Sequence, residues 1–183
     1  MAEEKSAEAG ADDVGAVPEA GLFGRMIDRC GIVFAVGLIV SALVLMQEVI
    51  LRYLFNAPTI WAHETTIFLS GLAFVYGGLY CVSKDKHIRV VLIYDALSPR
   101  TRRVLDVVIS LISAAASALF AWAAWIMVGR AVFAPTGGIR FERSGSAWDP
   151  MFPALIKLFM LAIMILMAVQ FLILAWNYFK GRK

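Results

Sequence analysis

The chain has 183 residues, of which 61% are hydrophobic and 17% charged, against roughly 45–50% and 25% in soluble domains. Four long apolar stretches with short connectors use up most of that length, which leaves no room for a second soluble domain. The net charge of +3 belongs to an apolar chain whose charges sit at rims and connectors, which argues against a nucleic-acid surface.

The first twenty residues, MAEEKSAEAGADDVGAVPEA, hold six acids and one lysine with no long aliphatic run. Such a segment cannot bury a core, and it lacks the basic and apolar regions of a secretory signal. Residues 1–24 therefore read as a disordered acidic tail, followed by one four-helix membrane domain over 25–183. The spans are expected at about 29–51, 61–83, 104–130 and 154–177. The fold class is an all-α membrane protein with a short interfacial segment between the second and third spans.

The middles of these spans are empty of charge. Ile32–Met46, Ile67–Val82, Val107–Val128 and Leu158–Leu174 contain no Asp, Glu, Lys, Arg or His. A polar pathway across a bilayer normally needs ionisable groups within the spans. The chain accordingly reads as a scaffold without transport chemistry of its own.

The first span ends in Gln47, Glu48 and Arg52, with Glu48 and Arg52 one turn apart on the same face. A tight connector follows, in which Asn56 and Pro58 are turn and helix-start signals. So short a link makes the first two spans an antiparallel hairpin. Glu64 falls in the first turn of the second span, where its charge suits the helix dipole. The second span also carries Gly71, Ala73, Gly77 and Gly78, small residues that let helices approach closely.

The connector KDKHIRVVLIYDALSPRTRR has a centre, Ile88–Leu97, that is too apolar for a free loop and too short to span. It is expected to lie along the membrane surface with its basic residues at the headgroups. Ser98 and Pro99 then start the third helix as N-cap and first helical residue. If that helix continues to Phe133 it is about 52 Å long and must tilt or project from the bilayer. It offers two rows of small residues, Ser110–Ala114–Ala118 and Ser113–Ser117–Ala121. The loop Ala134–Pro153 is rich in Gly and Pro, with Trp148 near the interface. The fourth span is dominated by Leu, Ile, Met and Phe, and is expected to face lipid or a second membrane subunit.

Orientation follows from the basic residues. Eleven lie just before the first span, in the middle connector or at the end of the chain, against four arginines, Arg52, Arg130, Arg140 and Arg143, in the other two connectors. The positive-inside rule places both termini in the cytoplasm. Tyr53, Trp61, Trp122 and Trp125 then form the outer aromatic belt, and Trp176 and Tyr178 the inner one. Cys30 and Cys81 would both lie at cytoplasmic ends, where they read as packing residues.

Three chemistries can be tested against these residues. A haem between His63 and His87 fails on distance, since 24 residues place them about 36 Å apart along a helix. Glu48 suggests a proton-coupled exporter, but it lies about one turn from the end of its span, with Arg52 as partner. No nucleophile set, carboxylate pair or metal-ligand spacing is visible, so no catalytic, cofactor or metal residues are assigned and no enzyme is expected.

The densest information lies around the first connector. The pattern Arg52-Tyr53-x-Phe55-Asn56-x-Pro58-x-x-Trp61-x-x-Glu64, followed after a span by His87-Ile88-x-Val90, resembles the small membrane subunit of tripartite ATP-independent periplasmic (TRAP) transporters, the DctQ-like family. Size, four spans, cytoplasmic termini and the late stretch Gly145–Pro153 fit the same resemblance, which covers nearly everything after the acidic tail. The family often has two adjacent acids after the Trp, where this chain has His63 and Glu64. It also often has an acid soon after His-Ile, where this chain has Val91.

The resemblance implies a bacterial inner-membrane scaffold that partners a large membrane subunit holding the substrate and sodium sites. A soluble periplasmic binding protein delivers an organic acid, and the sodium gradient drives uptake. No cofactor is expected in this chain itself. Arg52, Tyr53, Trp61, Glu64, His87 and Trp148 are the residues expected to hold the hairpin and the partner interface.

Overall fold

The computed structural model describes residues 20–84, 98–134 and 137–180. Four helices are present: α1 (Gly21–Leu54), α2 (Trp61–Ser83), α3 (Pro99–Val132) and α4 (Phe152–Lys180). All four are long and apolar enough to cross a membrane. The acidic tail before Ala20, the interfacial segment Ile88–Leu97 and His87 lie outside the described residues.

The helices form a row rather than a ring. α1 packs on α2, α2 on α4, and α4 most extensively on α3. α4 lies inside the row and packs on two neighbours, yet Leu155, Ile165, Val169, Leu172, Trp176 and Phe179 stay exposed on its outer side. A third (33%) of its most apolar window is buried, against 6% for α1. With no apolar stripe to distinguish faces, periodicity could not have placed either helix.

The α3–α4 contact uses small residues in a different register from the two rows read in the sequence. Ser110, Ala114, Ser117, Ala124, Val128 and Ala131 are buried, Ala121 is partly buried, and Ala118 is exposed. Alternating steps of three and four give a mean period near 3.5, the spacing that keeps one seam against a neighbouring helix. Strict four-residue rows drift off that seam. Leu158 and Leu161 of α4 fill the notch opposite Ala121, Ala124 and Val128.

On the other side of α4, Gly71 and Gly78 of α2 face Ile156 and Met167. Phe34 of α1 stacks on Tyr76 of α2 with ring centroids 4.0 Å apart and also meets Phe159 of α4. Polar side chains within the spans join helices. The Ser41 hydroxyl lies 3.0 Å from that of Ser70 and donates to the Thr66 carbonyl. Such bonds are worth on the order of 1 kcal/mol in a bilayer.

Helix ends follow the local signals. The Ser98 side chain accepts from the Thr101 N–H, and Pro99 opens α3. α3 extends to Val132, about 51 Å, so the long third helix is real. α1 is equally long because it begins at Gly21, earlier than the expected start near residue 29. Ala20 is buried against Val82, Ala114, Phe171 and Leu174, which anchors about two extra turns. Cys30 and Cys81 are both free and exposed, so they do not pack in the interior as expected.

Asn56 ends α1 in the left-handed region, with φ +47°, and lets the Ala57 N–H reach back to the Leu51 carbonyl at 3.0 Å. Asparagine tolerates this conformation better than residues with bulky β-carbons. Asn56→Gly should leave thermal stability nearly unchanged, whereas Asn56→Val should cost about 1–2 kcal/mol. Thermal melting of both variants in detergent tests this; equal melting points would remove the left-handed turn from the account.

Candidate functional site

Among the described residues, the two connectors at one end of the bundle, between α1 and α2 and between α3 and α4, carry most of the side-chain hydrogen bonds. The first clasp is built on Glu48. Its residue is only 5% exposed, and both carboxylate oxygens are occupied. Oε1 accepts from Arg52 Nη2 at 2.6 Å and Nε at 3.2 Å. Oε2 accepts from the Thr59 N–H at 2.9 Å and from the Thr59 hydroxyl. One side chain thus ties the last turns of α1 to the residue that leads into α2. Charged groups leaving water at a helix end need this kind of full hydrogen bonding.

The second clasp joins α2 to the distant loop. Glu64 Oε1 accepts from the Ser144 hydroxyl at 3.0 Å, across 80 positions of sequence. Its Oε2 is enclosed and has no hydrogen-bond partner among the described residues. The loop around Ser144 is held by its own bonds. Ser146 Oγ accepts from the N–H groups of Trp148 and Asp149, and Asp149 Oδ1 accepts from the Gly145 N–H. Gly145 and Asp149 both take positive φ, 73° and 47°, the geometry such a tight turn requires.

Aromatic packing completes the attachment. Trp148 meets Phe152 edge-on at 5.3 Å, and Phe152 stacks on Phe68 of α2 at 4.2 Å. Glu142 pairs with Lys157 at the start of α4. The expected Gly- and Pro-rich loop is therefore a folded cap pinned to α2, α3 and α4.

The opposite end has a smaller lock. Lys84, just beyond α2, pairs with Asp28 of α1 at 3.2 Å and lies 4.7 Å from the centroid of the Tyr80 ring. Hydrogen bonds to Tyr80 and Asp28 outweigh burial and hold its ammonium above the ordinary lysine range. The Tyr76 hydroxyl donates to the Ile27 carbonyl in the buried face. Gly31 is required here, since a Cβ would stand 2.8 Å from the Tyr80 ring.

Of the residues singled out in the sequence, Arg52 is in the first clasp and Glu64 in the second. Trp148 belongs to the cap that Glu64 holds. Tyr53 is 79% exposed, and Trp61 is partly exposed at the start of α2; both lie near the first clasp. Thr59, Ser144, Phe68 and Phe152 do as much positioning as these, and sequence reasoning did not single them out. Thr59 is legible in hindsight as a donor beside the turn. The Ser144–Glu64 pairing has no local signal. Among the described residues no three His, Cys, Asp or Glu side chains come together as a metal would need.

A chain of four helices long and apolar enough to span a bilayer is a multi-pass membrane protein. Residues 41–181 match the family described as tripartite ATP-independent periplasmic transporters, DctQ component, and the chain belongs to that family. It is the small membrane component of a TRAP transporter. No curated protein matches the chain.

Proposed function

We propose that this chain is the bracing subunit of a sodium-driven TRAP importer of an organic acid, a carboxylate or sugar acid delivered by a periplasmic binding protein. A large partner subunit holds the substrate and sodium sites, and this chain carries no cofactor of its own. It sits in the bacterial inner membrane with both termini in the cytoplasm, as the distribution of basic residues supports. The clasped connectors then face the periplasm, on the side where the binding protein arrives, and Trp148 lies within its reach.

The observation that carries this reading is the state of Glu48. It is the carboxylate placed best for ion exchange, and both its oxygens are spent on Arg52 and Thr59. An exporter needs that group open to a cavity near mid-membrane. The geometry favours a brace. The nearly bare apolar length of α1 offers the surface along which a large subunit can pack.

Arg52, Tyr53, Trp61, Glu64, His87 and Trp148 hold the hairpin and the partner interface in this reading. Glu64→Ala should reduce the amount of large subunit that co-purifies with this chain, while Glu64→Gln, which keeps an acceptor for Ser144, should retain it. Affinity purification from membranes expressing all three components reads both. Intact assembly of Glu64→Ala with an altered substrate preference would overturn the bracing role.

A further inference from the structure

The polar cap encloses a cavity that neither the clasps nor the bracing role uses. It has a volume of about 720 Å³ and is lined by Arg130, Arg140 and Arg143 together with Phe133, Phe141 and Met151. Its walls come from a defined fold. Phe133 and Ile139 form an antiparallel bridge, the Arg140 N–H donates to the Val132 carbonyl, and the Glu142 N–H donates to the Ala131 carbonyl. This return of the chain brings the two loop arginines to the last turn of α3, where Arg130 lies.

The charges are not balanced inside the cavity. Two carboxylates share its lining, and both are engaged: Glu142 with Lys157, and Asp149 with Arg143 at 3.6 Å. Arg130 and Arg140 make no ion pair among the described residues. Two guanidiniums that line one cavity, neither ion-paired among the described residues while both lining carboxylates are engaged, call for an oxyanion, and their planar forks suit phosphate. The remaining wall is apolar. Phe133, Phe141 and Met151 each expose a third or more of their surface beside these cations, at the end of a membrane-spanning helix where headgroups begin.

We propose that this cavity is a phosphate site that takes the headgroup of an anionic phospholipid from the leaflet on that side of the membrane. A free ion does not account for the shape. The volume falls in the roughly 300–1,000 Å³ range of sites for much larger ligands, and an ion has no use for the aromatic wall. A lipid supplies the phosphate for Arg130 and Arg140, and its glycerol and first methylenes meet Phe133, Phe141 and Met151. The inference rests on membrane insertion and does not depend on the bracing role.

The test uses the full chain in neutral detergent with three probes: dioctanoyl phosphatidylglycerol, dioctanoylglycerol and inorganic phosphate. Thermal shift and native mass spectrometry read binding. Dioctanoyl phosphatidylglycerol should bind saturably, and Arg130→Gln combined with Arg140→Gln should weaken it by at least about tenfold. Arg103→Gln, at the other end of α3, should leave it unchanged. Arg140→Gln alone, in an exposed loop, should show part of the loss and serves if the double variant is poorly folded.

Equal binding of dioctanoylglycerol would reduce the cavity to an apolar groove and overturn the phosphate site. Equal affinity for inorganic phosphate would overturn the lipid as its source. Binding of the phospholipid that ignores both arginines would overturn the proposal entirely.

Discussion

Glu48→Ala should lower the melting temperature of the full chain in detergent by roughly 5 °C or more, since it removes the buried carboxylate that ties the end of α1 to Thr59. The Thr59 N–H and the Arg52 guanidinium would both lose the acceptor they share. Glu48→Gln should be milder, because an amide oxygen still accepts from Thr59. Arg52 is half exposed, so its pairing with Glu48 should contribute no more than about 1 kcal/mol; a double-mutant cycle on Glu48 and Arg52 measures this coupling. Intrinsic tryptophan fluorescence during heating follows all four proteins. An unchanged melting point for Glu48→Ala would mean that the clasp does not hold the hairpin.

Ala124→Leu should cost about 1–3 kcal/mol and loosen α3 from α4, because Ala124 is buried on the seam and three more carbons must displace the side chains packed on it. Ala124 is buried against Leu161, on a seam to which α3 contributes mostly Ala and Ser. The comparison that gives this prediction its force is Ala118→Leu. Ala118 is exposed and should tolerate the same enlargement within about 0.5 kcal/mol. A straight four-residue row through Ser110 and Ala114 predicts the reverse order. Chemical or thermal unfolding of the two variants decides between the registers, and a greater loss for Ala118→Leu would refute the seam.

The two predictions mark where sequence reasoning reached and where it stopped. Asn56, Pro58 and the Ser98–Pro99 start were readable because caps and turns are set by residues within a few positions of one another. The Glu48–Arg52 pair was readable for the same reason, being one helical turn apart. Family membership was readable too, because the pattern from Arg52 to Glu64 keeps its spacing. Thr59 as the second arm of the clasp was missed, since nothing in its spacing shows which way a connector folds back.

The seam was half legible. Small residues marked α3 as a close-packing helix, but two rows were equally good in the sequence, and contact with α4 selected members of both. The place of α4 in the row was not legible, because its side chains are apolar all round and amphipathicity had nothing to report; only packing on α2 and α3 shows that it lies inside the row. Cys30 and Cys81 were misjudged on the same ground: an apolar residue in a span is at home in lipid as well as in a core.

The sequence by itself determined the membrane class, the four spans, the helix starts, the charge-free middles and the family. Each is a property of composition or of neighbours along the chain, and burial in a bilayer needs no partner to be specified. The tertiary structure decided the order of helices in the row, the register of the α3–α4 seam and the cap that joins Glu64 to Ser144 and gathers three arginines around one cavity. Those depend on contacts between residues tens of positions apart. In lipid such contacts are chosen by shape and a few polar bonds, not by hydrophobicity that every face of these helices shares.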